Sequence, residues 1–126
     1  MKKKTTQRKL IVGVKNLKEM GQDFISAWKR AEKGLPVDPT PHLYFDNIMD
    51  LWKKLTPRRM ELVYFLHQHG SMSIRRLAKL LNRDYKDVHS DVNALLPVDL
   101  VKKEDDGLIS APWDSIEINL SDAAAA

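Results

Sequence analysis

Hydrogen-bonding side chains line one side of a helix that the residue spacing predicts over residues 85–96. On its other side Val88, Val92 and Leu95 recur at intervals of three and four, the pattern of a face packed on a core. Six polar side chains lie on this side of the helix or at its N-terminal end: Arg83, Tyr85, Lys86, His89, Ser90 and Asn93. These side chains can donate to phosphate oxygens and to base edges, and His89 could equally be an ordinary surface histidine.

A second basic face belongs to the helix predicted just before this one, which Ser73 would cap. Its apolar stripe is Ile74, Leu77, Ala78 and Leu81, and its outer side carries Arg75, Arg76 and Lys79. Such a cluster is either a solvated helix face or part of an electrostatic footprint for a polyanion. Next to a helix rich in donors, we expect Arg75 and Arg76 to contact phosphates.

The elements around these two helices follow a definite order. Thr56 and Pro57 begin a helix over 57–69, and Gly70 ends it. Asn82 suits a left-handed turn, and Asp84 suits an N-cap. After Pro97, strands are predicted at 100–103 and 108–111 around a tight turn at 104–107, and alternation predicts a third strand at 116–120. This is the order of a winged helix-turn-helix, so the expected fold is mainly α with a small β-wing.

The N-terminal third is expected to be a helical extension of that domain. Residues 1–8 form a Lys-rich arm, either flexible or a minor-groove contact, and 9–14 form a β-prone run. An apolar stripe begins at Leu17, includes Phe24 and Trp28, and ends before Gly34. Three prolines mark 35–41 as a linker, and Asp46 is the expected N-cap of a short helix. The predicted division is therefore arm 1–8, extension 9–41 and winged helix-turn-helix domain 42–122.

Four stretches also resemble a known family. They are 55–59 (LTPRR), 69–75 (HGSMSIR), 83–92 (RDYKDVHSDV) and 112–116 (PWDSI), with a helix from Asp23 to Gly34 extending the match. They are similar to small prokaryotic winged-helix proteins described as MarR- or ArsR-like transcriptional regulators, some of them antitoxin-like partners of a neighbouring toxin. The resemblance implies DNA binding, autoregulation and a protein partner.

Composition excludes several other classes of protein. The formal net charge is +4, with the positive excess in residues 1–34 and 56–96 and an acidic C-terminal segment, so a polyanion would meet the first two regions. No cysteine is present, and no metal-binding spacing, phosphate loop or nucleophile motif occurs. We therefore expect no catalytic residues, metal or cofactor. No apolar run could span a membrane and no signal peptide is recognisable, which favours the cytoplasm.

The tip of the expected wing is acidic. Glu104, Asp105 and Asp106 precede Gly107, and ionised carboxylates cannot donate hydrogen bonds to phosphate oxygens. The wing is therefore expected not to grip DNA. The tip is either a solvated turn or a contact for a basic protein partner.

Two functions remain open from the residues alone. The first is a sequence-specific double-stranded DNA-binding regulator, a repressor acting as a homodimer on a pseudo-palindrome, since the helices at 17–31 and 57–69 offer more apolar surface than one small domain covers. The second is an antitoxin-like interaction module that binds a partner toxin, with DNA binding secondary or autoregulatory.

Overall fold

The chain is a mixed α/β protein. The computed structural model describes residues 7–36 and 40–120. Within them lie β1 (Lys9–Val14), α1 (Leu17–Glu32), β2 (His42–Phe45), α2 (Ile48–Lys54), α3 (Pro57–His69), α4 (Ile74–Leu81), α5 (Tyr85–Leu95), β3 (Lys102–Lys103), β4 (Ile109–Ser110) and β5 (Ser115–Asn119). These elements form two compact units: a helical unit of residues 7–8 and 53–114, and a sheet unit of residues 9–36, 40–52 and 115–120.

The sheet unit is built on three parallel strands in the order β2-β1-β5. Ile11 of β1 lies opposite His42 of β2 on one side and Glu117 of β5 on the other. Leu10 and Val12 of β1 are buried. The strand and helix of the predicted extension, β1 and α1, belong to an α/β unit that also includes β2 and β5. The strand expected at 9–14 is confirmed, whereas β2 was not predicted.

Helix α1 begins at a capping box, in which Asn16 and Glu19 each accept a hydrogen bond from the other's backbone N–H. Lys15, just before it, donates a hydrogen bond to Asp23 and lies 4.9 Å from the centre of the Tyr44 ring. The hydrogen bond raises the pKa of Lys15, while partial burial opposes the rise. Lys15 thereby ties α1 to the sheet, although α1 itself has no buried residue.

One local prediction near the middle of the chain is wrong. The N-cap of α2 is supplied by Asn47, whose side chain accepts a hydrogen bond from the Asp50 N–H at 2.9 Å, and not by Asp46.

Most of the predicted linker, residues 35–36 and 40–41, is described and carries no helix or strand. Residues 37–39 of that linker, 1–6 of the predicted arm and 121–126 lie outside the described residues. Arg8, the last residue of the arm, accepts a hydrogen bond from the Asp114 N–H through its carbonyl at 2.8 Å, and its own N–H donates to Asp114 Oδ2 at 2.9 Å.

Helices α3 and α4 begin at the predicted residues because their N-caps are local, and α5 ends one residue earlier than predicted. The hydroxyls of Thr56 and Ser73 accept hydrogen bonds at the starts of α3 and α4. Asn82 adopts the left-handed conformation, with φ 57°, and separates α4 from α5. Asp84 occupies the N-cap position of α5 with extended backbone but makes no side-chain capping bond. The buried side chains of this unit include Leu62, Leu66, Leu77, Val88, Val92, Leu95, Leu100 and Ile109.

A β-hairpin follows the helices. Its strands, β3 and β4, are shorter than predicted, and its turn is closed by a hydrogen bond from the Glu104 N–H to the Leu108 carbonyl at 2.7 Å. Met72, between α3 and α4, forms a β-bridge with Ile109 of the hairpin. The third predicted strand exists as β5, but it pairs with β1 in the other sheet. None of the helices in the described ranges is long and apolar enough to cross a membrane.

Candidate nucleic-acid interface

A line of polar and aromatic side chains runs along the exposed side of α5. The guanidinium carbon of Arg75, on α4, lies 4.7 Å from the centre of the Tyr85 ring. The rings of Tyr85 and His89 are 5.6 Å apart, and the Asn93 amide nitrogen is 3.2 Å from His89 Nδ1. These contacts join both helices into one surface and restrict the rotamers of its side chains.

The remaining residues predicted for this face lie beside that line. Lys86 and Ser90 are exposed on α5, and Arg76 and Lys79 are exposed on α4. Steps of 100° per residue place Lys86, Ser90 and Asn93 within one sector of α5, opposite buried Val88 and Val92. In the described part of the chain, Arg75, Arg76, Lys79 and Lys86 form no ion pair with a carboxylate. Their charge is therefore available to an anionic ligand.

Arg83 is placed differently from the other predicted contacts. Its guanidinium donates to the Arg58 carbonyl at 3.1 Å and forms an ion pair with Glu61, both of α3. Only 9% of the Arg83 side chain is exposed. The residue therefore fixes the turn between α4 and α5 to α3, and both of its terminal guanidinium nitrogens donate within the chain.

A second contact, which the residue pattern did not predict, positions α5. Arg59 Nε lies 3.0 Å from Asp91 Oδ1, with both side chains mostly buried. Arg59 Nη1 also donates to the carbonyls of Lys53 and Lys54 at 3.3 and 3.1 Å. A polar residue at position 91, on the inner flank of an amphipathic helix, was the available signal. Its partner is 32 residues away and could not be chosen from spacing.

The hairpin tip presents carboxylates, two of which are engaged within the hairpin. Glu104 accepts a hydrogen bond from the Ser110 hydroxyl at 2.5 Å, and Asp106 accepts one from the Leu108 N–H at 3.0 Å. Asp105 lies between them and is exposed. The tip is thus a structured acidic turn.

Two histidines of the helical unit, His67 and His69, contact oxygen atoms of other residues. The ring nitrogens of His67 lie 2.9 Å from the Ala111 carbonyl and 3.3 Å from Asp114 Oδ1, and His69 Nδ1 lies 3.0 Å from the Phe65 carbonyl. Across residues 7–36 and 40–120, no group of three or more His, Asp or Glu side chains is arranged to hold a metal ion.

Fold and surface together define a mixed α/β protein whose helical unit presents an ordered basic face on two adjoining helices. Residues 54–118 match the family HVO_A0114, and the chain belongs to that family. The matched stretch includes α3, α4, α5 and the hairpin, and it excludes α1. The family name states neither a fold nor an activity. No curated protein and no solved structure matches the chain.

Proposed function

We propose that the helical unit is a winged helix-turn-helix that binds double-stranded DNA, with α5 in the major groove. The observation that carries the proposal is the exposed line from Arg75 through Tyr85 and His89 to Asn93, on two helices joined by a short turn and followed by a hairpin. An α-helix fits the major groove, where each base pair presents a distinct set of donors and acceptors.

The side chains divide into two roles. Arg75, Arg76, Lys79 and Lys86 contact phosphates, which supplies affinity that depends on salt concentration. Ser90, His89 and Asn93 reach base edges, since amide and imidazole groups can both donate and accept hydrogen bonds. Arg83 contributes by positioning the turn before α5. Tyr85 holds Arg75 in place and contacts the backbone at the helix entrance.

In this function the protein acts as a homodimeric repressor in the cytoplasm. A two-fold dimer presents two copies of α5, and its operator would be a pseudo-palindrome with half-sites about one helical turn apart.

Selection of bound duplexes from a random pool, followed by fluorescence anisotropy, tests DNA recognition. The selected duplex should bind at least about 10³-fold more tightly than a scrambled duplex of equal composition at physiological salt. Lys86→Ala should reduce the slope of log affinity against log salt by about 0.9. Lys33→Ala, which removes one charge just after α1, is the matched control and should leave the slope unchanged. Equal binding of selected and scrambled duplexes would refute sequence-specific recognition.

The acidic hairpin tip supports the alternative function, an antitoxin-like module that binds a basic partner toxin. Glu104, Asp105 and Asp106 form an exposed anionic turn on the unit that carries the basic face. Neutralising Asp105 would abolish binding of such a partner, whereas DNA binding would be retained.

A further inference from the structure

Helix α1 exposes most of its apolar face. No residue of α1 is buried, and Leu17, Phe24 and Trp28 are 81%, 67% and 59% exposed. Beside this stripe lies an open, apolar depression of about 390 Å³, lined by Phe24, Ile25, Trp28, Lys29 and Glu32. Contiguous apolar surface of this kind on a folded chain is typical of an association site.

Helix α3, the other helix expected to offer apolar surface, does not provide a comparable face. Its Leu62, Val63 and Leu66 are buried within the helical unit, and Tyr64 is its only large apolar side chain that is exposed. The unpartnered surface of this pair of helices is therefore concentrated on α1.

We propose that α1 pairs with α1 of a second copy of this chain, antiparallel, about a two-fold axis near Phe24 and Ile25. This assigns an interface to the homodimer and so rests on that part of the proposed function. It does not depend on whether α5 binds DNA, because α1 belongs to the sheet unit and α5 to the helical unit.

Side-chain size is complementary in this arrangement. An antiparallel pair centred on residues 24 and 25 places Gly21 opposite the partner's Trp28 and Leu17 opposite the partner's Ala31 and Glu32. A Cβ added to Gly21 would meet nothing within 4 Å, so packing within the chain does not require glycine there. Glycine inside a helix is unfavourable relative to alanine. Its presence is explained by an indole ring that occupies the space above it.

Charge is complementary as well. A two-fold axis perpendicular to both helices brings the same flank of each helix together, in opposite directions. Lys18 and Glu32 are 14 residues apart, which at 100° per residue places them within about 40° of each other on one flank. The antiparallel pair therefore sets Lys18 against the partner's Glu32, twice by symmetry. A second copy of this chain supplies both partners of the pair by symmetry.

Light scattering without DNA tests the interface. The wild-type chain should have twice its mass of 14.5 kDa. Phe24→Glu/Trp28→Glu should be monomeric with an unchanged circular dichroism spectrum, because both side chains are exposed and contribute little to the fold. A wild-type mass of 14.5 kDa at high concentration, or a double variant that remains dimeric, would overturn the proposal.

Charge reversal tests the direction of pairing. Lys18→Glu and Glu32→Lys should each weaken the dimer several-fold, and an equal mixture of the two should form a heterodimer. The combined variant Lys18→Glu/Glu32→Lys should recover the wild-type affinity, and Lys33→Glu, a reversal at the C-cap beyond the end of α1, should have little effect. Equal weakening by all three reversals, without heterodimer formation, would exclude the antiparallel arrangement.

Binding of a single half-site duplex separates this inference from DNA recognition. If only the interface is wrong, the chain still binds the half-site. If only DNA recognition is wrong, the dimer still forms and responds to the charge reversals.

Discussion

Asp91 of α5 accepts a hydrogen bond from Arg59 of α3, with 3.0 Å between Oδ1 and Nε, while the same guanidinium donates to the end of α2. This partly buried ion pair holds α5 against α3. Removing one partner of such a pair leaves the other charge without compensation.

Asp91→Ala is expected to lower the free energy of unfolding by about 1–3 kcal/mol. Urea denaturation followed by circular dichroism measures the change. Asp87→Ala, on the exposed side of the same helix, is the control and should change stability by less than about 0.5 kcal/mol. Similar losses from the two variants would mean that the ion pair contributes nothing measurable.

Arg83→Ala and Lys86→Ala should have opposite consequences, although both remove a cation near the start of α5. Arg83 is mostly buried against α3 and bonded to Glu61, so its loss should reduce stability by about 1–3 kcal/mol. Lys86 is exposed, so its loss should spare stability and weaken DNA binding. Denaturation and anisotropy on both variants check this. If Arg83→Ala reduced the salt slope and left stability unchanged, Arg83 would be a DNA contact.

Asn93→Ala should change which sequence is bound more than how tightly random DNA is bound. A good side-chain contact to a base contributes about 1–3 kcal/mol of discrimination. The measurement is affinity for the selected duplex and for each of its single-base variants. His89→Ala should act at a neighbouring base pair, because the two side chains are in contact along α5. Uniform weakening across all duplexes would assign both residues to the phosphate backbone.

Neutralising the hairpin tip should leave DNA affinity equal or improved, with the larger gain at low salt, because repulsion between carboxylates and phosphates is less screened there. Asp105→Asn is the cleanest change, since Glu104 and Asp106 hold the hairpin through hydrogen bonds. The triple change of these acids to Ser should act in the same direction. Fluorescence anisotropy at two salt concentrations measures the DNA affinity of these variants, and circular dichroism verifies that they are folded. A marked loss of affinity in a folded Asp105→Asn protein would show that the wing docks on DNA.

Lys15 should make the stability of the chain sensitive to alkaline pH. Its hydrogen bond with Asp23 raises its pKa in the folded chain above 10.5. The contact therefore stabilises the fold fully below pH 10.5 and is lost as pH rises through the folded pKa. Lys15→Met should lower the Tm at neutral pH, and the difference from wild type should shrink above pH 10.5. A difference that is constant across this range would assign the effect to packing alone.

Local chemistry determined where the helices of the helical unit begin and where the chain turns between them. Thr56 and Ser73 each cap a helix through a residue three positions further on, and Asn82 adopts a left-handed backbone at the expected turn. Such interactions form within one turn of chain, so they can be recognised from residue type and spacing. The polar face of α5 was predictable for the same reason, because a helix with buried Val88 and Val92 must expose the opposite side.

Tertiary structure decided which distant groups meet. Alternation at residues 116–120 predicts a strand, but pairing with β1 in a parallel sheet depends on partners about 100 residues away. Likewise, nothing near Arg83 indicates that it would bond to Glu61 rather than remain in solvent. The period of a strand or helix specifies which face is buried, whereas the choice of partner depends on how all the elements pack together.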